Sequence, residues 1–460
     1  MVRILESSYG YWSSSRSFLL VAAGAAIGIG NLARLPYLMG HYGGAVFVGV
    51  YLAALVLLGL PLLIAEWLFG RWTRADLVSG FTQVGGSHRA GRRLRLLGWA
   101  SLGAAVGLLS YYSVIAGWSL GFVFRSASGS LAGDPKAARE SFLALAQDPE
   151  RALAWHTLFM VIACMIVSHG VRDGIERAAR YLVPAAMVAA VALTAYAALH
   201  ADVAAVYRWL LEPSIADLGW KGIVEALQQA FFTLALGFGV MLTLGAYLPA
   251  GAPLVRLAIG VVLIDLVFNL LVGFVLIALA LSAGLQPVSG VGMLFQVLPQ
   301  ALPEGLASIW VPTSFYLMLF LITMSAATTL LEPLTRFLME RMRLTRVFAA
   351  TTGAIIVWYL GLGSLLSFSR ISDLRVLGRN FFEWMQFLST TLAAPLSALL
   401  LCTVVSRVMP LEQSRAAWGP GEAGAFRSWL WALRYPARLA LCVVVTYALG
   451  LLDWLAELWS

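Results

Sequence analysis

The chain has 460 residues, 60% hydrophobic and only 12% charged, with a mean hydropathy of +0.84. That balance excludes an ordinary soluble domain and puts most of the chain into apolar runs of roughly 20 residues, the length that crosses a bilayer. A formal net charge of +8 would suit nucleic acid, but the basic residues gather in alternate loops, the pattern of a multi-pass membrane protein, so a lipid bilayer and no nucleic acid is expected as partner.

About eleven spans are predicted in chain order, near 16–38, 43–70, 95–124, 152–169, 174–200, 222–248, 254–283, 312–339, 345–364, 381–406 and 429–456. No linker among them is long or polar enough to separate two domains, so 1–460 reads as one transmembrane unit. Arg71, Arg74, Arg89, Arg92, Arg93 and Arg95 follow the second span. Arg172, Arg177 and Arg180 border the fourth and fifth, and Arg336, Arg341, Arg343 and Arg346 join the eighth to the ninth. The loop 126–151 carries Asp134, Glu140, Asp148 and Glu150 instead. Positive loops stay cytoplasmic, which predicts an inner-membrane protein with its N-terminus inside. With an odd number of spans, the tail bearing Asp453 and Glu457 lies outside. The loop 365–380, with Arg370, Arg375 and Arg379, goes against this pattern. The first sixteen residues are polar and no cleavable signal is expected. Cys164, Cys402 and Cys442 sit singly in apolar runs and read as buried small hydrophobes.

Two of the spans are interrupted. Gly28-Ile29-Gly30 lies in the first and Gly237-Phe238-Gly239 in the sixth. Glycine is the poorest helix former after proline, so both spans are expected to break at membrane depth. Lipid does not tolerate exposed backbone there unless it is buried in protein or lines a cavity. Small residues also serve close helix packing, but here each pair has a polar neighbour, Asn31 and Thr233. A dinucleotide fingerprint is excluded, because no strand precedes Gly28 and no acid follows about twenty residues on. Breaks in the first and sixth spans imply repeats of five spans, about 12–200 and 220–407, with the helix near 429–456 outside them. Five is odd, so the second repeat is inverted, and inverted repeats meet at a midplane binding site.

WSSSRSFLLVAAGAAIGIGNLARLPY from Trp12, HYGGAVFVGVYLAALVLLGLPLLIAEWLFGR ending at Arg71, YYSVIAGWSLGF from Tyr111, QQAFFTLALGFG from Gln228, IDLVFNLLVG from Ile264 and the segment Ser325–Pro333 together resemble the neurotransmitter:sodium symporter family, in its bacterial amino-acid transporter branch with the leucine-transporter fold. The resemblance implies an all-α fold with a five-plus-five inverted repeat and broken first and sixth helices. It implies a first sodium site at the Ala26 carbonyl, Asn31, Thr233 and Asp265, completed by the substrate carboxylate. Asp265 also stands out by itself, since an acid inside VVLIDLVFNLL is costly unless paired. Its charge, with Asn269 neutral one turn on, suggests that chloride is not required. A second sodium site falls on Gly24, Ile27, Ile322 and Ser325. The next position, usually another oxygen ligand, is Ala326, and Thr323, Thr328 and Thr329 point to other helix faces, so this site is expected to be weak.

For substrate, Tyr112 matches the tyrosine that holds a carboxylate, and Gly28, Ile29 and Gly30 offer backbone to the same group. Ala25, Ala26, Phe232, Thr233 and Phe238 match the region around the amino group. Leu108, Ala235, Phe238, Ala326 and Leu330 imply an uncharged pocket for a bulky aliphatic or aromatic side chain. At the outer gate Arg34 and Phe232 match, but the usual aspartate is Gln386. Either a neutral latch or an Arg34–Glu383 pair is expected. At the inner gate Trp12, Tyr247, Glu332 and Glu340 match, while Tyr9 replaces an arginine for which Arg3 is the nearest substitute. Gly174 and Pro184 reproduce a Gly-x9-Pro spacing, read as a site of unwinding or as a simple kink. Glu66 matches an acid that braces the broken sixth helix.

No nucleophile–base pair, metal-ligand cluster or phosphate loop is present to imply an enzyme. The reading is a sodium-coupled importer of an apolar amino acid by alternating access. A transport-poor amino-acid sensor and a proton-coupled carrier, with Asp265 as the carrying group, remain alternatives. The sequence leaves the oligomeric state open.

Overall fold

The computed structural model describes residues 10–85, 88–131, 135–301, 305–418 and 424–451. Among these, every regular element is helical apart from an isolated bridge between Val376 and Arg379. The span-forming helices are α1 (Ser15–Ala26), α2 (Ile29–His41), α3 (Ala45–Thr73), α4 (His88–Ala127), α5 (Pro149–Ser168), α6 (Val171–His200) and α7 (Ile215–Phe232). They continue with α8 (Val240–Gly245), α9 (Leu254–Ser282), α10 (Ala307–Met342), α11 (Arg346–Leu366), α12 (Phe381–Val408), α13 (Ala425–Arg434) and α14 (Pro436–Ala448). Eight helices among the described residues are singly long and apolar enough to cross a membrane, and α1 with α2 forms a further span bent by 67°.

That count is lower than the expected eleven, and two more of the expected spans are divided between separate helices. The sixth stops at Phe232 and resumes at Val240. The eleventh starts at Ala425, earlier than expected, and is parted at Tyr435 just before Pro436, where proline's missing N–H and ring interrupt a helix. Arg3, Tyr9, Asp134, Asp453 and Glu457 lie outside the described residues.

Each break follows from its local sequence. After Ala26 the chain extends through Ile27 and Gly28 before helix resumes at Ile29. In the second break Ala235, Gly237 and Gly239 all take positive φ, at 51°, 82° and 72°. An L-residue such as Ala235 is disfavoured there by about 1–2 kcal/mol. At Gly237 a Cβ would also stand 2.1 Å from the Ala394 carbonyl oxygen of α12, so the crossing admits only glycine.

The break is braced from α3. The Gly237 N–H donates to Glu66 Oε1 at 2.7 Å, with Glu66 only 1% exposed. A buried, unpartnered N–H costs about 1–3 kcal/mol, and this carboxylate removes that penalty. Gly237→Ala is expected to yield no stable transporter, through clash and strain together. Gly49→Ala, on an exposed face of α3 with nothing within 4 Å of the new Cβ, should leave stability unchanged or raise it by about 0.5–1 kcal/mol. Tryptophan-fluorescence melting of the purified proteins reads both.

Candidate functional site

The two breaks meet at a polar cluster. The Asn31 amide nitrogen donates to the Ala26 and Thr233 carbonyl oxygens, each at 3.4 Å. Thr233 Oγ1 donates to Asp265 Oδ2 at 2.6 Å, and Asn269 Nδ2 donates to Asp265 Oδ1 at 2.9 Å. Ala26, Asn31, Thr233 and Asp265 are thus one hydrogen-bonded group joining α1, α2, the second break and α9. All four are buried. Carbonyl, amide, hydroxyl and carboxylate oxygens are the donors that a hard cation takes.

Two further residues belong here that sequence reading passed over. Gln229 Nε2 donates to Asn31 Oδ1 at 3.5 Å. Tyr51 of α3 is 1% exposed, with its hydroxyl beside Thr233 and Asp265. The signal for Gln229 was its place one turn before Thr233, on the same helix face. Nothing local marks Tyr51, which arrives through the packing of α3.

The second group is sparser. A Cβ on Gly24 would lie 2.2 Å from Ser325 Oγ, so α1 and α10 touch at this pair, and Ser325 Oγ is buried with no hydrogen-bond partner. Ile27 and Ile322 are fully buried beside them in sequence. Ala326 is buried and brings no oxygen. The neighbouring hydroxyls are spent on their own helix, Thr323 on Phe320 O, Thr328 on Ser325 O and Thr329 on Ala326 O.

Beside the first break, a Cβ on Gly28 or Gly30 would meet nothing within 4 Å. The backbone that opens α2 therefore borders free space. The buried Tyr112 hydroxyl of α4 makes no hydrogen bond of normal geometry and faces the Ile29 backbone. Ala25, Ala26, Ile29, Ala235, Phe238, Ala326 and Leu330 are buried, and Leu108 and Phe232 partly so.

Around Arg34 the pairing differs from expectation. Arg34 is bound neither to Gln386 nor to Glu383. Its Nη2 meets Glu225 Oε2 at 2.6 Å and Gln228 Oε1 at 2.8 Å, both on α7. Glu383 is held in a capping box with Asn380 at the start of α12, which removes it as a partner. Glu225 also accepts from the Tyr447 hydroxyl of α14 at 3.3 Å. On the opposite side Trp12 Nε1 donates to Leu244 O at 3.0 Å and its ring meets Tyr247 edge-on. The Tyr247 hydroxyl donates to Glu332 at 2.7 Å, and Arg346 grips Glu332 with its two terminal guanidinium nitrogens at 3.0 and 2.6 Å. Glu340 pairs with Arg336 at 2.6 Å and accepts from the Asp76 N–H at 2.7 Å.

The sequence matches the sodium:neurotransmitter symporter family over residues 9–137 and 141–448. It is 30% identical to the uncharacterized sodium-dependent transporter YhdH of Bacillus subtilis, over 96% of this chain and 98% of that protein. It is 24% identical to an uncharacterized sodium-dependent transporter of Haemophilus influenzae, over 94% and 96% of the two chains. Its fold is similar to the crystal structure of MhsT in complex with L-phenylalanine, with a TM-score of 0.86, 30% identity, and coverage of 95% of this chain and 99% of that one.

The pairing of Arg34 separates two partners experimentally. Glu225→Gln is expected to raise the KM for transport by roughly two- to fivefold, the worth of a partly exposed ion pair, while Glu383→Gln leaves it unchanged. Initial-rate uptake measurements decide between them.

Proposed function

Because the chain belongs to the sodium:neurotransmitter symporter family, we propose that this sodium-dependent symporter of leucine-transporter fold imports an apolar, bulky aliphatic or aromatic L-amino acid. One observation carries the reading: Ala26 O, Asn31, Thr233 and Asp265 converge where both broken helices meet, beside the open backbone of Gly28 and Gly30. A cation enters among those oxygens when the Asn31 amide turns over, exchanging its nitrogen for Oδ1. The substrate carboxylate lies at the N-terminus of α2, where free N–H groups and the helix dipole favour an anion, with the Tyr112 hydroxyl donating to it. The carboxylate also faces the cation, so each raises the affinity of the other. Ala25, Ala26, Phe232 and Thr233 surround the amino group, and Leu108, Ala235, Phe238, Ala326 and Leu330 take the side chain. The L-phenylalanine bound in the MhsT structure supports this class of cargo.

Asp265 supplies a fixed negative charge beside the cation, and transport needs no chloride. The second site, with Ser325 as its only hydroxyl, binds sodium weakly. The residues 12–200 and 220–407 form the inverted repeats, with the N-terminus inside the cell and the C-terminal end outside. Alternating access follows when the Arg34–Glu225 side and the Trp12–Tyr247–Glu332 side open in turn, since substrate and ion shift the equilibrium only by their differential affinity for the two states.

Proteoliposomes should take up labelled L-phenylalanine or L-leucine under a sodium gradient, equally well with gluconate in place of chloride, and with a sodium Hill coefficient near one. Uptake driven by a pH gradient without sodium would refute the ion assignment, and a coefficient near two would refute the weak second site. Asp265→Asn is expected to lower apparent sodium affinity by about tenfold, the loss of one charged ligand, and to make uptake sensitive to chloride.

A further inference from the structure

The dipeptide Trp12-Ser13 at the free end of α1 is clasped from two sides. Trp12 is fastened to the α8 region, its indole N–H donating to Leu244 O at 3.0 Å and its own N–H to Tyr247 O at 3.3 Å. Ser13 is fastened to α6 instead. Its backbone N–H donates to Glu176 Oε2 at 2.9 Å, and its hydroxyl donates to Glu176 Oε1. Glu176 is 1% exposed and also accepts from Arg180 Nη2 at 2.8 Å, which in turn reaches Ser17 Oγ at 3.3 Å. Ser14 caps α1 by accepting from the Ser17 N–H at 3.1 Å. One buried carboxylate thus holds the start of a half-helix whose other end is the break at Ile27–Gly28.

The segment carrying Glu176 is built to deform. Residues Val171–Glu176 form a π-turn, a wide turn that recurs at functional sites. Gly170 enters it at φ +107°, and a Cβ on Gly174 would sit 1.9 Å from Ile166 O, so neither tolerates a side chain. Pro184 lies within α6, and without an N–H it leaves the Arg180 carbonyl short of its helical bond. Glu176 and Arg180 fall between these two weak points. Farther along, α6 touches α1 again: a Cβ on Gly24 would lie 2.8 Å from Val183 Cγ2 and 2.2 Å from Ser325 Oγ. The lever from Ser15 to Ala26 is about 18 Å long at 1.5 Å per residue.

We propose that Glu176 is a positioning residue of the transport cycle, a latch that locks α1 to the soft start of α6, and that the Trp12 side opens only when the Ser13 N–H leaves this carboxylate. Release of the latch frees the Ser13 end of α1 from α6. The latch lies one residue from Trp12, at the free end of α1. It rests on the transport reading above, since it supposes that the two sides open in turn.

The test uses the full chain with Cys164, Cys402 and Cys442 replaced by alanine and Ala22→Cys as reporter, a fully buried position on α1. Maleimide labelling of the purified protein reads how often α1 leaves its site and requires no transport. Glu176→Ala and Ser13→Pro, which removes both the N–H and the hydroxyl, should each label on the order of a hundredfold faster, the effect of losing two hydrogen bonds to a carboxylate at about tenfold each. Ser13→Ala loses the hydroxyl but keeps the N–H and should label only about tenfold faster, with Glu176→Gln below Glu176→Ala because it keeps an acceptor of the same shape. Ser13→Pro and Glu176→Gln preserve the test if Glu176→Ala does not fold. Labelling at the parent rate in Ser13→Pro and Glu176→Gln would overturn the latch, as would equal acceleration by Ser13→Ala and Ser13→Pro. If sodium fails to slow labelling of the parent while the variants still differ, the sodium-coupled reading fails and the latch stands.

Discussion

Backbone at membrane depth that is not in a helix has to be satisfied by protein, because hydrocarbon offers it nothing. Among the described residues, Ile27–Gly28 and the stretch from Thr233 to Gly239 are in that position. The side chains that resolve the problem are the ones that organise the centre of the molecule. Glu66 takes the Gly237 N–H. Asn31 takes one carbonyl from each break, Ala26 and Thr233. Asp265 then takes the Thr233 hydroxyl. A chain that answered the same constraint by removing the glycines would gain helix and lose this meeting of helix ends.

The same constraint explains where polarity is allowed elsewhere. Each half-helix has a free outer end that needs its own fastening. On the basic side these are Ser13 on Glu176 and Trp12 on Leu244, with Tyr247, Glu332 and Arg346 closing over them. On the other side Arg34 of α2 is tied to Glu225 of α7. That pair joins α2 and α7 to each other rather than to α12. Tyr447 brings α14 onto the same carboxylate.

Much of this was legible in the sequence because the relevant signals are local. Gly-x-Gly inside an apolar run marks both breaks, although the same pattern at Gly361-Leu362-Gly363 stays helical in α11, and an acid such as Asp265 has no cheap explanation in hydrocarbon. The missing oxygen at Ala326 was equally plain. What escaped depends on long-range pairing. Glu225 looks like one more polar residue near a helix start, and only the approach of α2 to α7 turns it into the partner of Arg34. Glu383 looked available until its bond to the Asn380 N–H showed it spent as a helix cap. The division of the last span at Tyr435 did have a signal, Pro436, which reads as tolerable at the first turn of a new helix and as a stop in the old one. His156, fully buried and bonded through Nε2 to Ser113 Oγ at 3.1 Å, was not anticipated. Its place is made by Gly117 and Gly361 on two other helices.

The central claim is that a sodium ion and a substrate carboxylate share one site at the junction of the breaks. Equilibrium binding of L-phenylalanine to the purified protein, titrated across sodium concentrations at constant ionic strength, tests it most directly. The account predicts that substrate affinity rises with sodium, that substrate raises sodium affinity by the same factor as linkage requires, and that Asp265→Ala abolishes the dependence. Substrate affinity that stays constant as sodium is withdrawn would contradict it.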